Sequence, residues 1–302
     1  MTFLLHEQEA FMTNNLSPSQ YIQEESFSGT KLLRIKHPSF EALISIKGAQ
    51  LLSFIPTGKH DWFWLSQEAK FDADNSIRGG IPICFPWFGV DQDAPEKAKH
   101  GFVRNQDWQL ESMQETDKYC ELCFNFNYQA SASSQALFSS SFQLKLSIRL
   151  SENIDIQLAW QHLGDKPQTY SFALHSYFAV NDLANLQVEG VKDKQYLDNT
   201  DALSEKVMQK EQSFHAEVDS VFQSLAGKQV LIDTLHSLAI EAEHADSCII
   251  WNPGKELAHG IEDIGNAYRD FVCIERGAAF ADAITLEKGQ SYKSRMCIRE
   301  VK

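Results

Sequence analysis

Two side chains in this sequence suit proton transfer, an imidazole at His175 and a carboxylate at Glu275, each set in a stretch with strand-like alternation. In Tyr170-Ser171-Phe172-Ala173-Leu174-His175-Ser176-Tyr177-Phe178, a period of two puts Tyr170, Phe172, Leu174 and Phe178 on one face. Ser171, Ala173, His175 and Tyr177 fall on the other, so His175 points away from the apolar side, among small neighbours. In Phe271-Val272-Cys273-Ile274-Glu275 a carboxylate ends an otherwise apolar strand. It either reaches water at the strand tip or sits in a cleft with its pKa raised, because burying an unpaired carboxylate is costly. Carried on rigid strands, an imidazole and a carboxylate are the minimum pair for general acid–base catalysis. Alone, each also has an ordinary explanation, a satisfied structural histidine and a solvated strand end. Their separation of 100 positions does not say whether they meet.

A second constellation supplies positive charge on stiff, irregular chain. Arg78-Gly79-Gly80-Ile81-Pro82-Ile83-Cys84-Phe85-Pro86-Trp87-Phe88-Gly89 is followed by His100-Gly101-Phe102-Val103-Arg104-Asn105. Pro82 and Pro86 lack an amide hydrogen, which excludes an inner strand or a helix interior, and Gly79-Gly80 permits close backbone approach. Charge and rings presented on stiff, irregular chain are how binding loops are commonly built, and a buried loop packing its aromatics against a sheet is the alternative. Trp251-Asn252-Pro253-Gly254 adds an aromatic and a turn, and His259-Gly260-Ile261-Glu262-Asp263 a polar cluster. An aromatic platform edged by carboxylates and amides is the usual chemistry of a sugar site. Cys120-Glu121-Leu122-Cys123 matches C-x-x-C, but on a strand residues three apart face opposite ways, which argues against zinc or redox use. No H-E-x-x-H, G-x-S-x-G or phosphate-loop motif is present.

The elements that must position these groups read as strands. Leu122, Phe124, Phe126 and Tyr128 alternate with Cys123, Asn125 and Asn127. Phe142 to Leu150 and Ile154 to Trp160 repeat the pattern, with Ser151-Glu152-Asn153 short enough for a hairpin. Further strands are expected at Leu33/Ile35, 43–46, 49–56, 62–65, 170–180, 187–189, 230–233, 238–244, 248–251, 271–275 and 291–301. Segments 183–186 and 201–210 fit short helices or loop. Many strands without β–α alternation imply an all-β, antiparallel sandwich. Residues 1–25 are poor in apolar content and read as a loosely ordered arm, with 26–302 forming a single domain.

Composition limits the partners. The formal net charge is −14, which argues against nucleic acid or an anionic membrane, since either needs a basic footprint. A small anionic substrate held by a few local arginines remains open. The first residues, Met1-Thr2-Phe3-Leu4-Leu5-His6-Glu7, lack a basic n-region, and no apolar run approaches bilayer length. Six cysteines without an export signal read as reduced thiols, so the expected location is cytoplasmic, and a monomer is expected.

Taken together, the blocks Arg78–Gly89, His100–Asn105, Leu174–Phe178, Trp251–Gly254 and Phe271–Glu275, in that order, resemble the aldose 1-epimerase superfamily, and within it the D-hexose-6-phosphate mutarotase branch. The likeness runs from about residue 30 to the C-terminus. It implies a galactose-mutarotase-like β-supersandwich, no cofactor and no metal, and interconversion of the α and β anomers of hexose 6-phosphates. By block position it implies Glu275 as general base, His175 as general acid, and Arg78, Arg104 and His100 as the grip on the 6-phosphate. Asp263 would bind sugar hydroxyls and Trp251 would supply the aromatic wall; Asp219 would have a structural or substrate-side role. The implied chemistry needs Glu275 ionised and His175 protonated at the start, each steadying the other's charge. Arg276-Gly277-Ala278-Ala279 and the loop 92–99 vary among relatives and carry no assignment.

Overall fold

The computed structural model describes residues 19–91, 94–131 and 137–301. Strands dominate because the alternating segments each own one apolar face, and burying those faces against one another satisfies all of them at once. One eight-stranded sheet runs in the order Gln187–Glu189, Gln229–Ile232, Ser237–Glu243, Ser291–Glu300, Ile154–His162, Phe142–Leu150, Cys120–Tyr128, Gln109–Glu115. A second runs Ser204–Val207, Gln195–Asp198, Val218–Phe222, Ser247–Asn252, Phe271–Ala278, Phe172–Leu174, Ile83–Cys84, with Tyr177–Ala179 also paired to Phe271–Ala278. A four-stranded sheet comprises Ile22–Phe27, Thr30–His37, Phe40–Ser45 and Gln50–Pro56. The ladders are antiparallel, and residues 151–153 form the expected hairpin. This is the all-β sandwich that the alternation predicts.

Leu144, Ile148, Ile156 and Trp160 from the first sheet meet Phe172, Leu174, Val272 and Ile274 from the second in one buried core. The other face of the second sheet carries its own apolar cluster of Trp64, Tyr177, Ala258, Ile264, Phe271 and Cys273. Strand Phe271–Ala278 is therefore covered on both sides, and its odd-numbered residues, Phe271, Cys273 and Glu275, face away from the main core. Among the described residues the α-helix is the short segment Gly254–Ala258, and no helix is long and apolar enough to cross a membrane.

Several boundaries differ from the sequence reading. The stretch 170–180 divides into Gln168–Tyr170, Phe172–Leu174 and Tyr177–Ala179. Trp62–Leu65 contributes isolated bridges from Phe63 and Leu65 instead of a strand. Gln195–Asp198 and Val218–Phe222 are strands the alternation did not expose, being short and rich in polar residues. Segment 201–210, read as helix or loop, holds the strand Ser204–Val207. Of the proposed arm 1–25, residues 1–18 lie outside the described residues, and Ile22–Glu25 already belong to strand Ile22–Phe27.

One carboxylate in the frame gives a stability prediction. Asp61 accepts from Phe54 N and Phe63 N, both at 3.0 Å to Oδ1, and from Ser53 Oγ to Oδ2. Among the described residues no cation is paired with it, and burial outweighs these bonds and pushes its pKa up to about 6. The unfolded chain then ionises first as pH rises from about 4, so this contribution is full below that value and is lost as pH passes about 6. Asp61→Asn keeps all three partners and carries no charge. It is expected to be about 3 kcal/mol more stable than the parent at pH 8 and no more stable below pH 4, by denaturant melts across that range.

Candidate active site

The ladder between the second sheet's central strands has a gap, and His175 lies in it. Leu174 pairs with Arg276 on one side of it and Tyr177 with Cys273 on the other, in the same register. His175 is thereby set directly opposite Glu275. On its other flank the His175 segment lies along the Gly79-to-Cys84 stretch: His175 N donates to Pro82 O at 2.9 Å and Tyr177 N to Gly80 O at 2.8 Å. Pro82 fits here because only its carbonyl is used. The glycines are needed for a close approach, since a Cβ on Gly79 would lie 2.4 Å from Trp64 O and one on Gly80 2.2 Å from Leu51 O.

His175 Nε2 is 3.3 Å from Glu275 Oε1, and the two residues are only 7% and 1% exposed. His175 Nδ1 and Glu275 Oε2 are buried with no partner in the protein. An imidazole nitrogen and a carboxylate oxygen without protein partners, on two residues this deeply buried and in contact, suit a polar ligand. The Tyr177 ring stacks on His175 with centroids 4.7 Å apart and planes 9° from parallel, and Trp251 meets the same imidazole edge-on at 6.1 Å. These rings fix the plane of the imidazole.

Burial dominates the electrostatics. It lowers the His175 pKa well below its usual value, assisted by the nearby His100, Arg104 and Arg78. It raises that of Glu275, with Asp219 adding to the rise and Arg104 opposing it. The free protein therefore favours a neutral carboxyl beside a neutral imidazole, not the ion pair expected from the sequence. Desolvation penalises both charged forms together, and one contact at 3.3 Å does not offset that. The two states hold the same number of protons and differ only by one transfer across that contact.

The basic groups collect at one end. His100 lies with its ring centroid 5.6 Å from that of His175. Its Nδ1 accepts from Gly89 N at 3.2 Å, which leaves the proton on Nε2. Burial, then Arg104, Lys99 and Arg78, hold its pKa down near about 3, so His100 is a neutral donor among cations. Arg104 donates through Nη2 to Lys99 O at 2.9 Å, its Nε is buried without a partner, and among the described residues it enters no ion pair. Arg78 differs: Nε donates to Asp263 Oδ2 at 3.0 Å and Nη1 to Tyr177 Oη at 3.1 Å. Two of the expected substrate ligands, Arg78 and Asp263, thus hold each other in the free protein.

Asp219 faces the same region from strand Val218–Phe222, opposite Trp251 in register. Asn199 donates to it at 2.7 Å, while burial pushes its pKa up to about 6. Arg276, unassigned from the sequence, is fully buried and clamped onto Ala245 O, Leu225 O and Gln229, away from Glu275. The loop 92–99 bears Lys97, paired with Asp91, and its residues 92 and 93 lie outside the described residues.

Contacts that alternation does not reveal hold the arginine segments in place. In the turn after Phe40–Ser45, buried Lys47 donates through Nζ to the carbonyls of Asp72, Ala73 and Asn75. Gln50 Nε2 holds Ile77 O and Gly79 O at 3.1 and 2.7 Å, bracketing Arg78. Gly48 N donates to Gln106 O at 2.8 Å, and a Cβ there would lie 2.7 Å from Arg104 O. One turn thus anchors both basic segments. Tyr177 was legible only as a neighbour of His175 by alternation, and Cys273 only as a neighbour of Glu275.

The sequence profile of the aldose 1-epimerase family matches residues 31–299. A "Putative glucose-6-phosphate 1-epimerase" of Salmonella typhimurium is 32% identical over 274 residues, covering 88% of this chain and 90% of that protein. One of the same name from Escherichia coli is 31% identical over 264 residues, covering 85% and 86%. The crystal structure of a "putative mutarotase" from Salmonella typhimurium superposes with a TM-score of 0.86 at 27% identity, over 95% of this chain and 96% of that one. The buried imidazole–carboxylate pair is thus carried on a mutarotase sandwich, and the chain belongs to the aldose 1-epimerase family.

Proposed function

We propose that this isomerase interconverts the α and β anomers of hexose 6-phosphates, with Glu275 and His175 as the proton-transferring pair. The observation that carries the reading is the 3.3 Å contact between two buried titratable groups, each with one polar atom left unpartnered, next to a cluster of basic groups. A bound sugar brings hydroxyls and a ring oxygen into a dry site and so favours the charged form of the pair, carboxylate and imidazolium. Glu275 then takes the proton of the anomeric hydroxyl while His175 gives one to the ring oxygen, and the C1–O5 bond breaks. The free aldehyde turns about C1–C2 and recloses on its other face, returning each proton to its donor. General acid–base catalysis contributes about 10²–10⁴-fold per group, enough for a reaction that already runs unaided in water.

The 6-phosphate would be met by Arg104, the Nε2–H of His100 and Lys99, with Arg78 close by but kept on Asp263 and Tyr177. The names of the relatives above support the same substrate class. Trp251 and Asp263 would line the sugar, and Asp219 would act from the carboxylate side. The test is exchange NMR between the anomers of several hexose 6-phosphates and their free hexoses, with and without protein. Enhancement confined to, or much larger for, the phosphosugars is expected. Equal enhancement of glucose and glucose 6-phosphate would make the protein an epimerase of free sugars, and binding without exchange would make it a sensor.

A further inference from the structure

Cys273 lies on strand Phe271–Ala278 two residues before Glu275, on the same face, and opposite Tyr177. A nitrogen of His175, the Cys273 sulfur and a carboxylate oxygen of Glu275 all lie within 4.8 Å of one another. We propose that these three side chains form a site for a thiophilic divalent cation such as Zn²⁺ or Cd²⁺, and that its occupancy shuts off the reaction. The inference rests on the proposed function for its consequence but not for the binding itself.

The donor set argues for the ion. Imidazole nitrogen, thiolate sulfur and carboxylate oxygen are the three ligand types zinc takes, and three protein ligands match the ligand count of the zinc sites that keep a fourth position for water or substrate. Tetrahedral bonds of about 2.0–2.3 Å place ligand atoms roughly 3.3–3.8 Å apart, so the present spacing needs about 1 Å of closure, within reach of side-chain rotation. The His175–Glu275 edge is already at 3.3 Å. A second observation points the same way: Glu275 Oε2, in a residue only 1% exposed, has no partner. Charge balances too. One thiolate and one carboxylate neutralise a divalent ion, which suits a buried position where an isolated charge is costly. Binding expels two protons to solvent, the thiol's and the one shared by the Glu275–His175 pair. Mg²⁺ and Ca²⁺, which require a shell of oxygens, find one carboxylate and a sulfur, and are excluded.

The test uses the full chain. Titration calorimetry with ZnCl₂ should give one high-affinity ion per chain and none with MgCl₂. CoCl₂ should produce a thiolate-to-cobalt charge-transfer band. Cys273→Ser and Cys273→Ala should each abolish that band and weaken zinc affinity by about tenfold or more, the usual effect of disturbing a metal's ligand environment. Both variants should keep the basal anomerisation rate while losing inhibition by Zn²⁺, which in the parent is competitive with substrate and reversed by chelator. Two results would overturn the proposal: no zinc binding, or unchanged zinc affinity in both folded variants. Metal binding as described in a protein that fails to exchange any anomer would leave the site standing and remove the proposed function instead.

Discussion

Glu275→Gln is expected to lower the catalysed anomerisation rate by about 10³-fold while leaving the fold intact and its melting temperature unchanged or higher. The activity loss follows from its position: the side chain is opposite His175 in register, 3.3 Å away, with Oε2 unpartnered. An amide has the same shape but cannot accept and return the anomeric proton. The stability half follows from burial. Glu275 is 1% exposed, and desolvation drives its pKa up, so above the ordinary carboxylate range the folded chain must keep a proton that the unfolded chain releases, at a cost to folding. A neutral amide removes that cost at any pH above the ordinary carboxylate range. Activity and stability moving in opposite directions is the signature of a functional charge, whereas a structural carboxylate would lose both together. Exchange NMR for rate and calorimetry for melting, on the same preparation, decide it; full retention of rate would remove Glu275 from the mechanism. His175→Ala should lose a comparable factor in rate, but with a cavity beneath Tyr177.

How much of this the sequence disclosed depends on the kind of information. Alternation resolved faces: Phe172, Leu174 and Phe178 do lie in the main core, and Tyr177 does lie on the His175 side. The same rule on Phe271–Ala278 put Glu275 away from Val272 and Ile274. Meeting across the ladder was not legible, because a pairing between segments 100 positions apart leaves no local trace. The gap at His175 and Ser176 was hidden for another reason. At the gap the chain turns back on itself, Ser176 N donating to Leu174 O at 3.0 Å, a local turn that periodicity does not register. Charge states were misread from pairwise reasoning alone. A carboxylate near an imidazole suggests an ion pair, yet the sign is set by how dry the site is, and dryness is a property of packing. Asp263 shows the limit of reading roles from blocks, since its carboxylate is engaged by Arg78 before any sugar arrives. Lys47 and Gln50 carried no signal at all: their role is to bond carbonyls, and any donor of suitable reach looks the same in a sequence.

The contrast between the two arginines yields a selectivity prediction that their sequence contexts do not. Arg78 spends its guanidinium on Asp263 and Tyr177, whereas Arg104 bonds one carbonyl and keeps Nε buried and unpartnered. A phosphate reaching Arg104 gains a charge-assisted bond without breaking an ion pair. Such bonds are worth about 1.5–3 kcal/mol, so Arg104→Ala should raise KM for glucose 6-phosphate by about 10–100-fold and leave that for glucose almost unchanged. Arg78→Ala should behave differently. It strands the Asp263 carboxylate and the buried Tyr177 hydroxyl next to His175, and so should impair phosphosugar and free sugar alike, through kcat as well as KM. Steady-state kinetics on both substrates for the two variants separate these roles. Identical changes for glucose and glucose 6-phosphate in Arg104→Ala would show that this guanidinium serves the loop alone and that the phosphate is held elsewhere. Selective loss of the phosphosugar in Arg78→Ala would mean that its bond to Asp263 opens on binding, turning a pre-formed ion pair into a switch between hydroxyl and phosphate contacts.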